Sequence, residues 1–192
     1  MAPATAERPE KSEYLPYYER YISLVPEGDV LSTLSTQIGD TLTLLRGLPA
    51  SVSTYRYAPD KWSVNEVVGH VIDTERVFAG RALVFARNDP AQMPSMEQDD
   101  YIRNSNFDAY PLLELADELE AVRQSTVFLF KHMDELAWAR RGVANNSEAY
   151  SNPAICSVPD QARRLGLGYE NRSALPIDLG ERPGDDWIEV SA

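Results

Sequence analysis

The feature that most constrains this chain is a helix announced at both ends. Ser63, with Glu66 three residues on, carries the signature of a capping box, in which each side chain satisfies the other residue's backbone N–H. Trp62 before the cap and Val67 after it have the spacing of a hydrophobic staple. From Ser63 no proline intervenes until Asn88-Asp89-Pro90, so the predicted helix runs from about 63 to 87. At about 100° per residue, Val64, Val68, Val71, Phe78, Ala79, Ala82 and Ala86 share one face. Glu75 falls near the middle of that stripe, where a carboxylate is costly unless it is paired. His70 lies at the border, roughly 120° from the centre. The pattern reads either as a helix facing a polar interior site or as an ordinary amphipathic helix with a ragged edge. Spacing alone favours the ragged edge for His70, but not for Glu75.

Two more long helices follow from the same periodicity. Asp29 caps one carrying Leu31, Leu34, Ile38, Leu42 and Leu45, with Gly47 near its end. The other spans about 111–138, with Pro111 tolerated in its first turn. Its stripe is Leu112, Leu115, Ala116, Leu119, Val122, Thr126, Phe130, Met133 and Ala137, and Arg140-Arg141-Gly142 closes it. Arg123 sits near the centre of this stripe as Glu75 does on the previous helix, while His132 falls on the far side and reads as a surface residue. Opposite charges at the centres of two apolar stripes predict a buried carboxylate–guanidinium pair between Glu75 and Arg123, on helices expected to pack antiparallel. Thr126 or a tyrosine is expected to complete its hydrogen bonds.

The intervening segments are less regular. Tyr14, Leu15, Tyr17, Tyr18, Tyr21 and Ile22 form an aromatic-rich stretch suited to lying across a core. Residues 48–62 are a connection. Residues 88–110 are long for one, which predicts a short helix near 97–103 and packing over something. Glu97-Gln98-Asp99-Asp100 lacks the alternation and glycine of a calcium loop, so a solvated face is the better reading. From about 143 onward, Pro153, Pro159, Pro176 and Pro183, with Gly166, Gly168, Gly180 and Gly184, interrupt every helical period, and the stretch reads as irregular or disordered.

Composition narrows the function classes. With 192 residues, 43% of them hydrophobic, the chain can bury the core of one domain. Thirty acidic residues against eighteen basic ones give a net charge of −12, which argues against nucleic acid and anionic membranes as partners. One cysteine, Cys156, excludes an intramolecular disulfide and a Cys-rich zinc site, and fits a reducing compartment. No basic-then-apolar leader and no run of membrane-spanning length is visible, so a cytoplasmic location is expected. There is no Gly-rich phosphate loop and no serine nucleophile elbow. Cys156 lies far in sequence from both histidines and reads as an incidental thiol, so no catalytic residue is assigned.

The ordered set Tyr57, Lys61-Trp62-Ser63, Glu66, His70, Asp73 and Glu75-Arg76 resembles the DinB-like superfamily, the damage-inducible and YfiT-type proteins. Arg81-Ala82-Leu83, Asp99-Asp100-Tyr101, Asn104, Asn106-Phe107, Leu119, Val122-Arg123 and Thr126 continue the resemblance. It implies an all-α four-helix bundle, often a homodimer. It also implies a divalent metal (nickel, zinc or iron) held by one histidine of the second helix, here His70, and a His-x-x-x-His pair on the fourth. The activities implied are metal-dependent hydrolysis or thiol S-transfer, with a low-molecular-weight thiol or other small-molecule substrate. The chain departs from this pattern after Asn146, since Ser147-Glu148-Ala149-Tyr150-Ser151-Asn152-Pro153 follows and no histidine comes after His132. The expected organisation is therefore an incomplete helical domain over 1–146 with three recognisable long helices, and an irregular tail over 147–192. A shifted reading frame leads over gene truncation and divergence as the origin of that tail. Two functions compete. One is a metal-dependent hydrolase or thiol transferase, with Glu66, Asp73 or the acidic connection supplementing His70. The other is a noncatalytic, metal-free bundle serving in binding or stress. Loss of the fourth helix is expected to leave apolar surface that invites dimerisation.

Overall fold

The computed structural model describes residues 8–144 and 147–151. Its helices are α1 (Glu19–Ile22), α2 (Val30–Gly47), α3 (Val64–Ala86), α4 (Gln98–Arg103), α5 (Leu112–Lys131) and α6 (Glu135–Ala139), followed by strands β1 (Arg141–Ala144) and β2 (Ser147–Ser151). The helix starts follow the chemistry of their caps. Asp29 accepts from the Leu31 N–H, and both halves of the Ser63–Glu66 capping box form. The fold is mainly helical, with α4 in the long connection where the sequence places a short helix.

The helices are not arranged as consecutive antiparallel neighbours. Asn65, at the start of α3, bonds the carbonyls of Phe107 and Tyr110 just before α5 begins, and Arg76 reaches Glu118 at 2.7 Å. Further along, Arg140 beyond α5 donates to the carbonyl of Ala86 at the end of α3. Successive contacts thus climb both helices together, and α3 and α5 are parallel. The antiparallel expectation is overturned, and the length of residues 87–111 explains why: parallel neighbours need a crossing segment that returns along the bundle. We call this segment the strap. The α2 helix runs the other way, because Arg46 near its end pairs with Asp117 and Glu120 early in α5, while the carbonyl of Leu34 meets Arg123.

The third long helix is also shorter than its periodicity suggests. It ends at Lys131, His132 forms its C-cap, and Asp134 starts a new helix by accepting from the Ala137 N–H at 2.8 Å. Gly142 does not end a helix but sits in β1, which pairs antiparallel with β2 through Arg141↔Ser151, Gly142↔Tyr150 and Ala144↔Ser147. Residues 143–151, read from sequence as irregular, therefore include a hairpin. The reading of 152–192 as an irregular or frame-shifted tail lies outside the described residues.

Two apolar clusters fill the bundle. One joins Tyr14, Tyr18, Ile22, Val30 and Leu34 to Phe78, Phe85, Phe130 and Trp138, so the aromatic segment does lie across a core. The other joins Leu42, Leu45 and Val52 to Val68, Ile72, Leu115 and Leu119. Among the described residues no helix is long and apolar enough to cross a membrane.

Candidate functional site

The α3 helix is buried on two faces, and each carries polar chemistry. The first face meets α5. Glu75 and Arg123 are 1% and 3% exposed, and the guanidinium donates through Nε to one carboxylate oxygen at 2.8 Å and through Nη2 to the other at 2.9 Å. This bidentate geometry matches planar donor to planar acceptor. The third donor, Nη1, is taken by the Leu34 carbonyl of α2 at 3.1 Å. Thr126, expected to assist, gives its hydroxyl proton to the carbonyl of Val122. The charges that break the apolar stripes of α3 and α5 are brought together, and a backbone carbonyl of a third helix joins them.

The second face lies under the strap. His70, Thr74, Phe78, Arg81 and Phe85 fall within about 80° of arc on α3, and all five are buried. His70, which helical spacing leaves at a border, is 5% exposed because the strap covers that border. One side of its ring packs on Trp62, with centroids 4.9 Å apart. The Thr74 hydroxyl oxygen stands 3.5 Å from either ring nitrogen and donates to the Met96 sulfur of the strap at 3.8 Å. Burial pulls the His70 pKa down to about 4, against an opposing pull from Asp99. The ring is accordingly neutral at physiological pH, with one N–H donor and one acceptor nitrogen. Further along, Arg81 holds the Pro94 carbonyl at 2.6 Å and lies over the Phe78 ring.

Both ends of the strap are pinned. At the far end the Met93 N–H donates to the Val143 carbonyl at 2.9 Å, and Phe85 fills the space beside Gly142 where a side chain would otherwise go. At the near end Phe107 lies so close over Gly69 that a Cβ there would fall 2.2 Å from its ring. Beside it, Arg56 grips Glu66 with two donors and Asp108 with a third contact at 2.8 Å, while the Ser63 hydroxyl donates to Asp108 at 2.5 Å. The Arg56 bond holds the Glu66 carboxylate below its usual range. Glu66 is thus committed to Arg56 and to the cap. Asp73 is half-buried, and burial raises its carboxyl against the pull of Arg76.

Sequence reasoning found His70, Glu75 and Arg123, and missed Arg56, Asp108, Thr74, Arg81 and Met96 as partners. The second buried stripe on α3 was a readable signal. The Arg56–Asp108 contact spans 52 residues and had none.

A family model of the DinB superfamily matches residues 33–155. The chain belongs to the DinB superfamily. No curated protein and no solved structure gives a significant match. The three-histidine metal site that the DinB resemblance implies is not matched by the donors here. The polar contact of His70 is the Thr74 hydroxyl at 3.5 Å, which itself turns to the Met96 thioether, and the Asp99 carboxylate acts on the ring only through its charge. Glu75 is bound to Arg123, and among the described residues no group of three His, Cys, Asp or Glu side chains is placed to hold a metal. The other histidine, His132, is exposed. Since Glu75 and Arg123 stand level on parallel helices, His70 and His132 lie roughly 20 Å apart along the bundle axis.

Proposed function

We propose that this DinB-superfamily chain is a noncatalytic helical bundle that serves by binding and holds no divalent metal tightly. The observation that carries the reading is the donor set at His70: one neutral imidazole facing the Thr74 hydroxyl, which turns to Met96, with the chain's second histidine at the opposite end of the bundle. A catalytic zinc-type centre ordinarily takes three protein ligands and keeps one open position. For the competing reading, a metal-dependent hydrolase or thiol S-transferase using a low-molecular-weight thiol, two further donors would have to be brought to His70. Superfamily membership is what favours that reading. A cytoplasmic location and a homodimer remain part of the proposal, the latter to be checked by light scattering.

The test is metal content after native purification, followed by calorimetric titration with nickel, zinc and ferrous iron. Substoichiometric metal and weak binding unchanged by His70→Ala are expected. A tight one-to-one complex that His70→Ala abolishes would overturn the proposal in favour of the enzyme.

A further inference from the structure

A histidine on a helix stripe invites the question of what faces its free nitrogen. Here His70 is 5% exposed, and its contacts come from the chain itself. Trp62 covers one side of the ring, Thr74 stands one turn along the same helix, and the strap lays Met96 against the Thr74 hydroxyl. Thr74 itself is 5% exposed, whereas Met96 is only partly buried. Met96 is therefore the outermost member of a chain of contacts running from solvent to the imidazole. A thioether suits this place, being flexible, apolar and a weak acceptor for one hydroxyl proton. Because sulfur cannot donate, Thr74 gives it the proton. That leaves the threonine oxygen, 3.5 Å from either ring nitrogen, able to accept weakly from the ring N–H, which links the three groups in one chain of contacts.

We infer that Met96 is a built-in plug: with Trp62 and Thr74 it closes the His70 imidazole against any external ligand, so the position a small molecule would take is filled by the protein's own strap. The pinning of the strap at Arg56–Asp108 and at Met93–Val143 keeps the plug seated. The inference rests on the reading that His70 holds no catalytic metal. It can fail separately, because it concerns access to the ring and not affinity for an ion.

The chain's two histidines make access directly measurable. Diethyl pyrocarbonate acylates neutral imidazoles, and peptide mass spectrometry assigns each adduct. The assay is run on the full chain with chelator present, so that bound metal cannot protect the ring. In the wild type, His132 is expected to react fast and His70 at least about tenfold slower, since reaction must await a local opening. Met96→Ala is expected to bring His70 to within about threefold of His132, because the opening is then permanent. Met96→Leu, which refills the volume without the sulfur, is expected to restore most of the protection. Circular dichroism and melting of each variant establish that the bundle is folded. Equal reactivity of the two histidines in the wild type would overturn the plug, and so would His70 remaining as protected in folded Met96→Ala as before. If Met96→Ala does not fold, Met96→Ser takes its place, and the same two results in the wild type and in folded Met96→Ser support or overturn the plug.

Discussion

Replacing one member of the Glu75–Arg123 pair is the sharpest stability test the structure offers. Glu75→Ala leaves a guanidinium that is 3% exposed with only the Leu34 carbonyl of its three described side-chain contacts. Arg123→Ala leaves a carboxylate that is 1% exposed without either of its 2.8 and 2.9 Å donors. Removing one partner of a buried pair costs about 3–5 kcal/mol, because the survivor stays desolvated. For a chain of this size that corresponds to a melting temperature lower by roughly 10 °C. The double replacement Glu75→Leu with Arg123→Met removes both charges and keeps apolar volume, so it is expected to cost less than either single alanine change. Arg123→Lys is expected to recover only part of the loss, since an ammonium cannot span both carboxylate oxygens and the Leu34 carbonyl in the same planar fork. Urea unfolding of wild type, both singles and the double yields the coupling energy. A coupling indistinguishable from zero would refute the buried pair, whatever the singles cost.

Other expectations can be checked alongside. His70 titrates near 4 when folded and near 6.5 when unfolded, so the unfolded chain binds the extra proton first. Stability should be fully present above pH 6.5 and fall by about 3 kcal/mol as pH drops to 4. His70→Gln should flatten that limb of a urea-midpoint-against-pH profile, and an unchanged slope would discount the burial. Gly142→Ala drives a methyl to 2.0 Å from the Phe85 ring and should destabilise by about 1–3 kcal/mol in chemical denaturation. Gly39→Ala meets nothing within 4 Å in an exposed stretch of α2 and should stabilise by about 0.5–1 kcal/mol in the same assay.

The parts legible in the sequence were those written in short range. The Ser63–Glu66 box and the Asp29 cap each depend on residues within a turn of one another, whereas α4 was legible from the length of the connection that holds it. The apposition of Glu75 and Arg123 could be read for a different reason: an uncompensated charge in an apolar stripe has few remedies. Direction was illegible, because an apolar stripe looks the same from either end, so the parallel packing of α3 and α5 had no periodic signature. The break after Lys131 was hidden by Met133 and Ala137, which keep helical spacing across it and are both buried. Asp134 was the overlooked start signal. His70 was underestimated because its cover comes from Trp62 just ahead of α3 and from the strap, about 25 residues further along the chain, and not from a neighbouring helix face.

The position of Arg123 also bears on how the bundle assembles. Its partners lie 48 and 89 residues earlier in the chain, and α5 carries the main packing contacts of both α2 and α3. A ribosome that has released everything through the strap has therefore still not delivered the element against which the first two long helices close. Ordinary up-and-down bundles settle hairpin by hairpin through local contacts, and fold fast on that account. This chain must instead close two long loops on one late helix, at an entropic cost that grows with the logarithm of their length. The long-range packing of α2 and α3 therefore waits for α5, and nascent chains ending before it are expected to leave the apolar faces of both helices without their main partner.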